Sequence, residues 1–514
     1  MPPALPLVEE LLPAPDPAAC CERFAGTPHL LFLDSARDPE RLGRHSYLAA
    51  GPSTVVRSKG RRVETLDADD VGAAWRPVEA TTALDHVRAL LAPFAAEPVP
   101  GLPPFQGGAA GFIAYDWGAM LERLPAPRYD DLALDDLRLG VYDWVIAWDH
   151  AEGRAWLIST GFPARDPADR ERRAAERMEQ VRRVLASPPP PGNVATHRVP
   201  PETRPMGSSP PRYPVEGVPG AADVELHSTF TRDGYLDAVR RVREYILAGD
   251  IFQANLSQRF DAPLREHPWL LYRRLRALNP APFAAYLEFG DAVIVSASPE
   301  RFLQVTADGR VEARPIKGTR PRGTGPMHDM VLGRALVESE KDRAENLMIV
   351  DLLRNDLSRA CAAGTVRVPE LFALEHYSTV HHLVSTVVGE LAPGRDAVDL
   401  LCAAFPGGSI TGAPKVRAME IIAELEPSRR GVYCGSVGYL SFTGALDTSI
   451  VIRTYLVRDG RAYFSAGGGI VADSEPEAEY QETLDKARAL IAALRTAGMG
   501  DGGWGRTSGD GAIR

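Results

Sequence analysis

The dipeptide Asp308-Gly309 constrains this chain more than any other two residues. Both residue types tolerate positive φ, which is the chemistry of a two-residue hairpin turn. The runs on either side, Ser296 to Val305 and Arg310 to Ile316, read as strands. An antiparallel pair closed by that turn sets Glu300 directly across from Lys317. The position is a non-hydrogen-bonded one, where opposed Cα atoms are about 4.5 Å apart. Pro315 falls opposite Phe302 at another such position, where its missing N–H costs the ladder nothing. An amine held beside a carboxyl group is a nucleophile next to an acid. A plain cross-strand salt bridge satisfies the same pattern.

The rest of the chain supports antiparallel pairing. Strand-like runs (His29 to Leu33, Val141 to Trp148, Asp250 to Ser257, Gly431 to Ser441, Ala445 to Tyr455, Ala462 to Ala466) mix with helical ones. The helical runs are Asp169 to Leu185, Arg232 to Leu247, Arg343 to Leu357 and a last one from Ser474. There is no strict βαβ alternation, so the fold class is α+β with large, mostly antiparallel sheets. At 514 residues the chain is long for one core, and more than one domain is expected. Eleven prolines between Ser187 and Gly220 mark a linker. The expected division is 1–186, a Pro-rich linker 187–228, a motif-bearing region 229–498 and a Gly-rich tail 499–514.

Charge and cysteine usage exclude several classes. The net charge is -10 and no basic block occurs, so nucleic acid is not an expected partner. No apolar run reaches the roughly 18 residues that span a bilayer. The opening Met1-Pro2-Pro3-Ala4-Leu5 lacks a basic n-region, so no signal peptide is expected. Five cysteines without a C-x-x-C fit a reducing cytoplasm better than a disulfide framework or a zinc site.

Two acidic pairs stand at helical spacing. Ser474-Glu475-Pro476-Glu477 reads as a capping box, which sets Glu479, Glu482 and Lys486 on one helix face. Asp342 and Glu345 repeat the i, i+3 spacing on an earlier helix. Two carboxylate pairs converging from two helices suit Mg²⁺, because hard cations need charged oxygen ligands. Solvated helix faces carry the same spacing. The loop Gly407-Gly408-Ser409-Ile410-Thr411-Gly412-Ala413-Pro414-Lys415 fails the phosphate-loop pattern, since Ala413 and Pro414 follow the second glycine. It can still offer N–H groups and hydroxyls to a carboxylate at the start of the next helix. Gly467-Gly468-Gly469 after a strand suits close backbone approach to an anion. Tight turns would explain either loop. His381-His382 precede an apolar run. Arg453, a charge within an apolar strand, needs a carboxylate from the protein or from a ligand.

Taken in order, these segments resemble the chorismate-utilising enzymes: anthranilate, aminodeoxychorismate, isochorismate and salicylate synthases. The matching stretches are Asp250 to Phe260, Ser298 to Phe302, Pro315 to Arg320, Asp351 to Asp356, His381 to Thr386, Pro406 to Lys415, Arg453-Thr454 and Gly467 to Lys486. They span about half the chain. The form Pro315-Ile316-Lys317-Gly318-Thr319 resembles the aminodeoxychorismate synthase branch, whereas anthranilate synthases carry Ala at the lysine. Gln253 stands where water-adding relatives have a Lys.

The resemblance implies that Mg²⁺ is held by Glu345 and Glu482 directly and by Asp342 and Glu479 through water. It implies attack by Lys317 on chorismate, with Glu300 as proton donor, followed by ammonia. Lys486, Arg453, Tyr433, His382 and Gly467 to Gly469 would orient the substrate, with Gln253, Thr319, Ser409 and Thr411 as further contacts. No glutaminase signature is present, so ammonia would come from a separate glutaminase subunit in a heterodimer. Ser35, in Leu33-Asp34-Ser35, matches the position that marks a tryptophan pocket in relatives. The alternatives are an anthranilate synthase component making a 2-amino product, and a non-catalytic subunit that binds chorismate or tryptophan.

Overall fold

The computed structural model describes residues 6–188 and 208–495, apart from 37, 39–41, 71 and 377–379. The tail 499–514 and residues 189–207 of the linker therefore lie outside the described residues, while Tyr213–Pro214 and His227–Ser228 of the linker form strands at the edge of the first sheet. The fold is α+β. Two large sheets, of 13 and 12 strands, stack with helices on their outer faces, and every ladder between named strands is antiparallel.

Alternation along the strands builds the layers. Leu31 packs between the sheets with Tyr47, Phe112, Ile294 and Tyr439. Its neighbour Phe32 faces the other way, against Trp148, Trp269 and Tyr272 under the outer helices. A third cluster backs the second sheet, where Val87, Ile349, Leu353 and Leu401 meet Val56, Leu303 and Ile450.

Each sheet takes strands from both sides of the linker. Leu31–Asp34 pairs with Phe283–Phe289, Leu33 lying opposite Ala285. Gly108–Ile113 pairs with Ser436–Ser441, Gly111 opposite Gly438. The boundary at 187–228 thus divides the sequence but not the sheets, and segments 1–186 and 229–498 share cores.

The chain passes from one sheet to the other at places where a continuous strand was expected. Val141 to Trp148 is two strands, Leu137–Tyr142 in the second sheet and Trp144–Asp149 in the first. The break is Asp143, a buried carboxylate gripped by Arg173 and Arg177. Ala445 to Tyr455 is likewise two strands, Leu446–Ile450 and Thr454–Arg458, in different sheets.

The Asp308-Gly309 hairpin forms, but one residue out of the expected register. Val305 lies opposite Val311 and Gln304 opposite Glu312. Thr306 N–H donates to Arg310 O and Gly309 N–H to Thr306 O. Ala307, Asp308 and Gly309 therefore make a three-residue loop, with Gly309 at φ +83°. That position requires positive φ, which is why the glycine is there. Pro315 and Lys317 do not continue this ladder. The chain bends after Ala313, and Ile316–Pro321 pairs instead with Val380–Glu390.

Candidate active site

Two crossings between the sheets run side by side, and each carries a charged residue. One leaves Ala292–Ser298 through Glu300 and enters Arg301–Val305; the other leaves Leu446–Ile450 through Arg453 and enters Thr454–Arg458. They are stitched together. Ile450 N–H donates to Glu300 O at 3.0 Å, Ala297 N–H to Arg453 O at 3.1 Å, and Ser298 Oγ to Ile450 O at 2.5 Å. Arg453 is therefore not inside a strand, as expected, but at the corner between two. It turns there at φ +54°, a region non-glycine residues seldom occupy. Its guanidinium is buried, and burial pulls its pKa down. Among the described residues no carboxylate is recorded against it, which is the arrangement of a group awaiting an anion.

Lys317 comes to Glu300 from another direction than the hairpin ladder. Its Nζ donates to Ser409 O at 3.0 Å. Glu300, 6% exposed, accepts from the Ser409 side chain and from the Ile316 N–H. Ser409 thus touches both members of the pair. Burial pushes the Glu300 carboxyl up to about 7, against the pull of Ser409, Lys317, Ile316 and Lys486. Burial likewise pulls the Lys317 amine below its ordinary value. Glu345, Glu300 and Glu482 oppose that shift and Lys486 adds to it. Both groups are moved toward their neutral forms, as a nucleophile and a proton donor require.

One carboxylate of each acidic pair, Glu345 and Glu482, acts on this amine. Glu345, on helix Glu340–Ser358, is raised by burial and by the like charges of Asp342 and Glu482, while Lys317 and Lys341 oppose. Glu479, on helix Pro476–Leu494, is raised by burial and by Glu482. Burial would raise Glu482 too, but Lys486 at 2.6 Å, with Lys341 and Lys317, holds it below its ordinary value. Asp342 pairs with Arg320 at 2.8 Å. Ser474 is not the helix cap expected of it. Glu475 takes that position without a side-chain bond, and Ser474 Oγ donates to Glu479 Oε1 at 2.6 Å. The hydroxyl is spent on aiming a carboxylate.

The glycines lie within a strand, not beyond its end. Arg461–Ile470 runs through Gly467, Gly468 and Gly469, which pair with Ser257, Leu256 and Asn255. A Cβ on Gly467 would meet Leu256 O at 2.4 Å, and one on Gly468 would meet Glu479 Oε2 at 2.9 Å. The missing side chain at Gly468 lets the acidic helix approach, and Lys486 Nζ donates to Gly467 O at 2.8 Å. Gln253 is buried against Gly469, and its Oε1 has no partner among the described residues.

His382 is hydrogen-bonded to the Gly318 backbone; burial, then the Arg453 charge, pulls its imidazole down to about 4. Tyr433 is buried near Arg453. Thr411 lies in the same loop as Ser409, but its hydroxyl donates to Gly407 O at 3.0 Å and so closes its own turn. The Thr319 side chain lies outside the described residues; its backbone pairs with His382.

Ser35 is elsewhere. Its Oγ donates to His45 O at 2.5 Å and to Pro282 O at 3.1 Å. It lines a cavity of about 140 Å³ between the sheets, with Tyr47, Arg301, Tyr439 and Asp447.

Sequence reasoning missed the supports. Arg430, 7% exposed, bonds Glu426, Ile410 O and Asn255 O, and stacks on Tyr115 at 4.6 Å. Glu426 in turn accepts from the N–H and hydroxyl of Ser257. This buried ion pair ties the Ser409 loop to the strand bearing Gln253. Nothing in the local sequence distinguishes Arg430 from its neighbour Arg429.

Residues 30–492 match the family described as chorismate binding enzyme. Anthranilate synthase component 1 of Thermus thermophilus is 42% identical over 91% of this chain and 93% of its own length. Aminodeoxychorismate synthase component 1 of Salmonella typhimurium is also 42% identical, over 93% and 96%. The crystal structure of anthranilate synthase component I from Streptococcus pneumoniae superposes with a TM-score of 0.70 at 31% identity, over 88% of this chain and 92% of that one. The menaquinone-specific isochorismate synthase of Escherichia coli shares the fold, with a TM-score of 0.65 at 20% identity over 96% of each chain.

Proposed function

The chain belongs to the chorismate binding enzyme family, and on that premise we propose that it is an aminodeoxychorismate synthase component 1, aminating chorismate at ring carbon C4. At the coarser level it is a chorismate-utilising enzyme of the aminodeoxychorismate and anthranilate synthase component 1 type. Relatives of both names are equally identical to it, so identity does not choose between them. The observation that carries the choice is Lys317, a buried amine drawn toward neutrality beside a carboxyl group raised to about 7.

In this reading Lys317 attacks C2 of the ring while Glu300 gives its proton to the departing C4 hydroxyl, which leaves as water. Ammonia attacks C4 and expels Lys317, giving 4-amino-4-deoxychorismate. Arg453, with no carboxylate recorded against it among the described residues, receives one of the substrate's. His382, neutral near pH 7, contributes a hydrogen bond and no charge. Gln253 supplies a buried polar contact and no base, which suits ammonia as the nucleophile.

The donor set around Lys317 fits magnesium. Asp342, Glu345, Glu479 and Glu482 are all carboxylates, and Glu345 and Glu479 are raised by burial first and then by neighbouring negative charge. Glu345 and Glu482 would hold the ion directly and Asp342 and Glu479 through water. When bound, it neutralises the substrate carboxylate that lies against it. Ammonia is supplied by a glutaminase subunit, since neither a glycine-flanked nucleophilic cysteine nor a His-Pro-Glu-Ser segment occurs in this sequence.

The test is the product. Incubation with chorismate, Mg²⁺ and ammonium, followed by an aminodeoxychorismate lyase, gives 4-aminobenzoate. Anthranilate in its place would move the chain to the 2-amino branch. Chorismate binding without turnover would mark a non-catalytic subunit.

A further inference from the structure

His376 and His381 stand directly opposite each other at the end of the hairpin formed by Arg367–His376 and Val380–Glu390. Their Nδ1 atoms are 2.8 Å apart, with the ring planes at 81°. His381 is fully buried, whereas His376 is exposed. The other His381 nitrogen, Nε2, lies 2.9 Å from Asp329 Oδ1. Asp329 is itself fixed by Arg322 through two bonds of 2.7 Å and by the Gly323 N–H at 2.8 Å. Both oxygens of Asp329 thus accept from the Arg322 guanidinium, as a carboxylate does. An ionised carboxylate only accepts, so His381 carries its proton on Nε2 and leaves an open lone pair on Nδ1. That lone pair faces the Nδ1 of His376.

We propose that His376 and His381 form a two-imidazole site for a transition-metal dication of the zinc class, with Asp329 orienting His381 from behind and water completing the coordination. Cross-strand neighbours are spaced so that two side chains can close on one ion. Imidazole nitrogens select zinc, copper or nickel over magnesium, so this site is chemically distinct from the four carboxylates around Lys317. A tetrahedral ion bonded at about 2.0–2.1 Å to each nitrogen separates them by roughly 3.3 Å, so the rings need open by only about half an ångström. The carboxylate behind His381 fixes its tautomer and ring orientation, as the outer partners of metal-bound histidines do. In the metal-free state His376 donates from Nδ1 to His381. On binding, that proton moves to the exposed Nε2 of His376, and neutral imidazoles release none. The next residue, His382, is bonded to Gly318 beside Lys317, so an ion here anchors the end of the hairpin that borders the amine.

The experiment uses the full chain in excess Mg²⁺. Zinc chloride is titrated by calorimetry, and a copper-loaded sample is examined by electron paramagnetic resonance. One equivalent of Zn²⁺ should bind, with affinity lower by about tenfold or more in His376→Ala. The copper signal should couple to two imidazole nitrogens in the unsubstituted protein and to one in His376→Ala. Because His376 is exposed, its substitution leaves the core intact. Asp329→Asn should also weaken zinc while keeping the two-nitrogen signal. Equal zinc affinity with and without His376, or a copper signal with oxygen ligands only, would assign the metal to the carboxylates and remove the site.

Discussion

Lys317 and Glu300 are each drawn by burial toward the form they would not hold in water at neutral pH. The consequence for stability has a definite sign. A carboxyl group raised from 4.5 to about 7 in the folded chain binds its proton more tightly there than in the unfolded chain. Its contribution is present below pH 4.5 and is lost as pH rises through about 7. Glu300→Gln removes that loss. Its stability relative to the unsubstituted protein should rise between pH 5 and pH 8, read from urea midpoints, while turnover falls by about 10²–10⁴ through loss of the proton donor. A constant difference across that range would mean the carboxyl titrates normally. At this scale much of the site was legible. Glu479, Glu482, Asp342 and Glu345 came from helical spacing, and Arg453 from a charge in apolar surroundings. Their partners were not legible: Ser474 was read as a cap, and Arg320 reaches Asp342 through a fold that no local pattern encodes.

Among elements, the strand Arg461–Ile470 does the most to open the site, because Gly468 leaves room for Glu479 and Glu482 while Gly467 and Gly469 leave room for the Leu256 carbonyl and the Gln253 side chain. Gly467→Ala would drive a methyl group to 2.4 Å from Leu256 O, a backbone atom that cannot step aside. It should cost about 1–3 kcal/mol, seen as a lower melting temperature. A melting temperature equal to that of the unsubstituted protein would show that the ladder yields. Element boundaries explain where sequence reading stopped. Asp308-Gly309 signalled the hairpin, yet Gly309 alone takes positive φ, which adds a loop residue and shifts the register by one. The shift removes Lys317 from the ladder, and the lysine reaches Glu300 only because Ile316–Pro321 pairs with a strand some seventy residues on. Asp143 and Arg453 interrupted apparent strands for a related reason. Each sits where the chain changes sheets, and a change of sheet leaves no periodic signature.

The whole molecule is two sheets shared by both halves of the sequence. Linker composition suggested separable domains, but pairings such as Leu33 with Ala285 lie about 250 residues apart and leave no local trace. The segment 229–498 expressed alone would expose the edge of Phe283–Phe289, which Leu31–Asp34 covers in the full chain, together with the apolar face beneath it. It should be insoluble or lack a cooperative thermal transition, whereas co-expression with 1–186 should restore both. A soluble, cooperatively melting fragment would show that the halves fold independently. Within this shared frame the proposed reaction rests on a single bond, from the Lys317 amine to the chorismate ring. Mass spectrometry of the protein mixed with chorismate and Mg²⁺ in the absence of ammonia tests it most directly. A chorismate-minus-water adduct on the peptide bearing Lys317, discharged on adding ammonium, is the predicted result. Consumption of chorismate to an amino product by Lys317→Ala at the unsubstituted rate, with no adduct on Lys317, would contradict it.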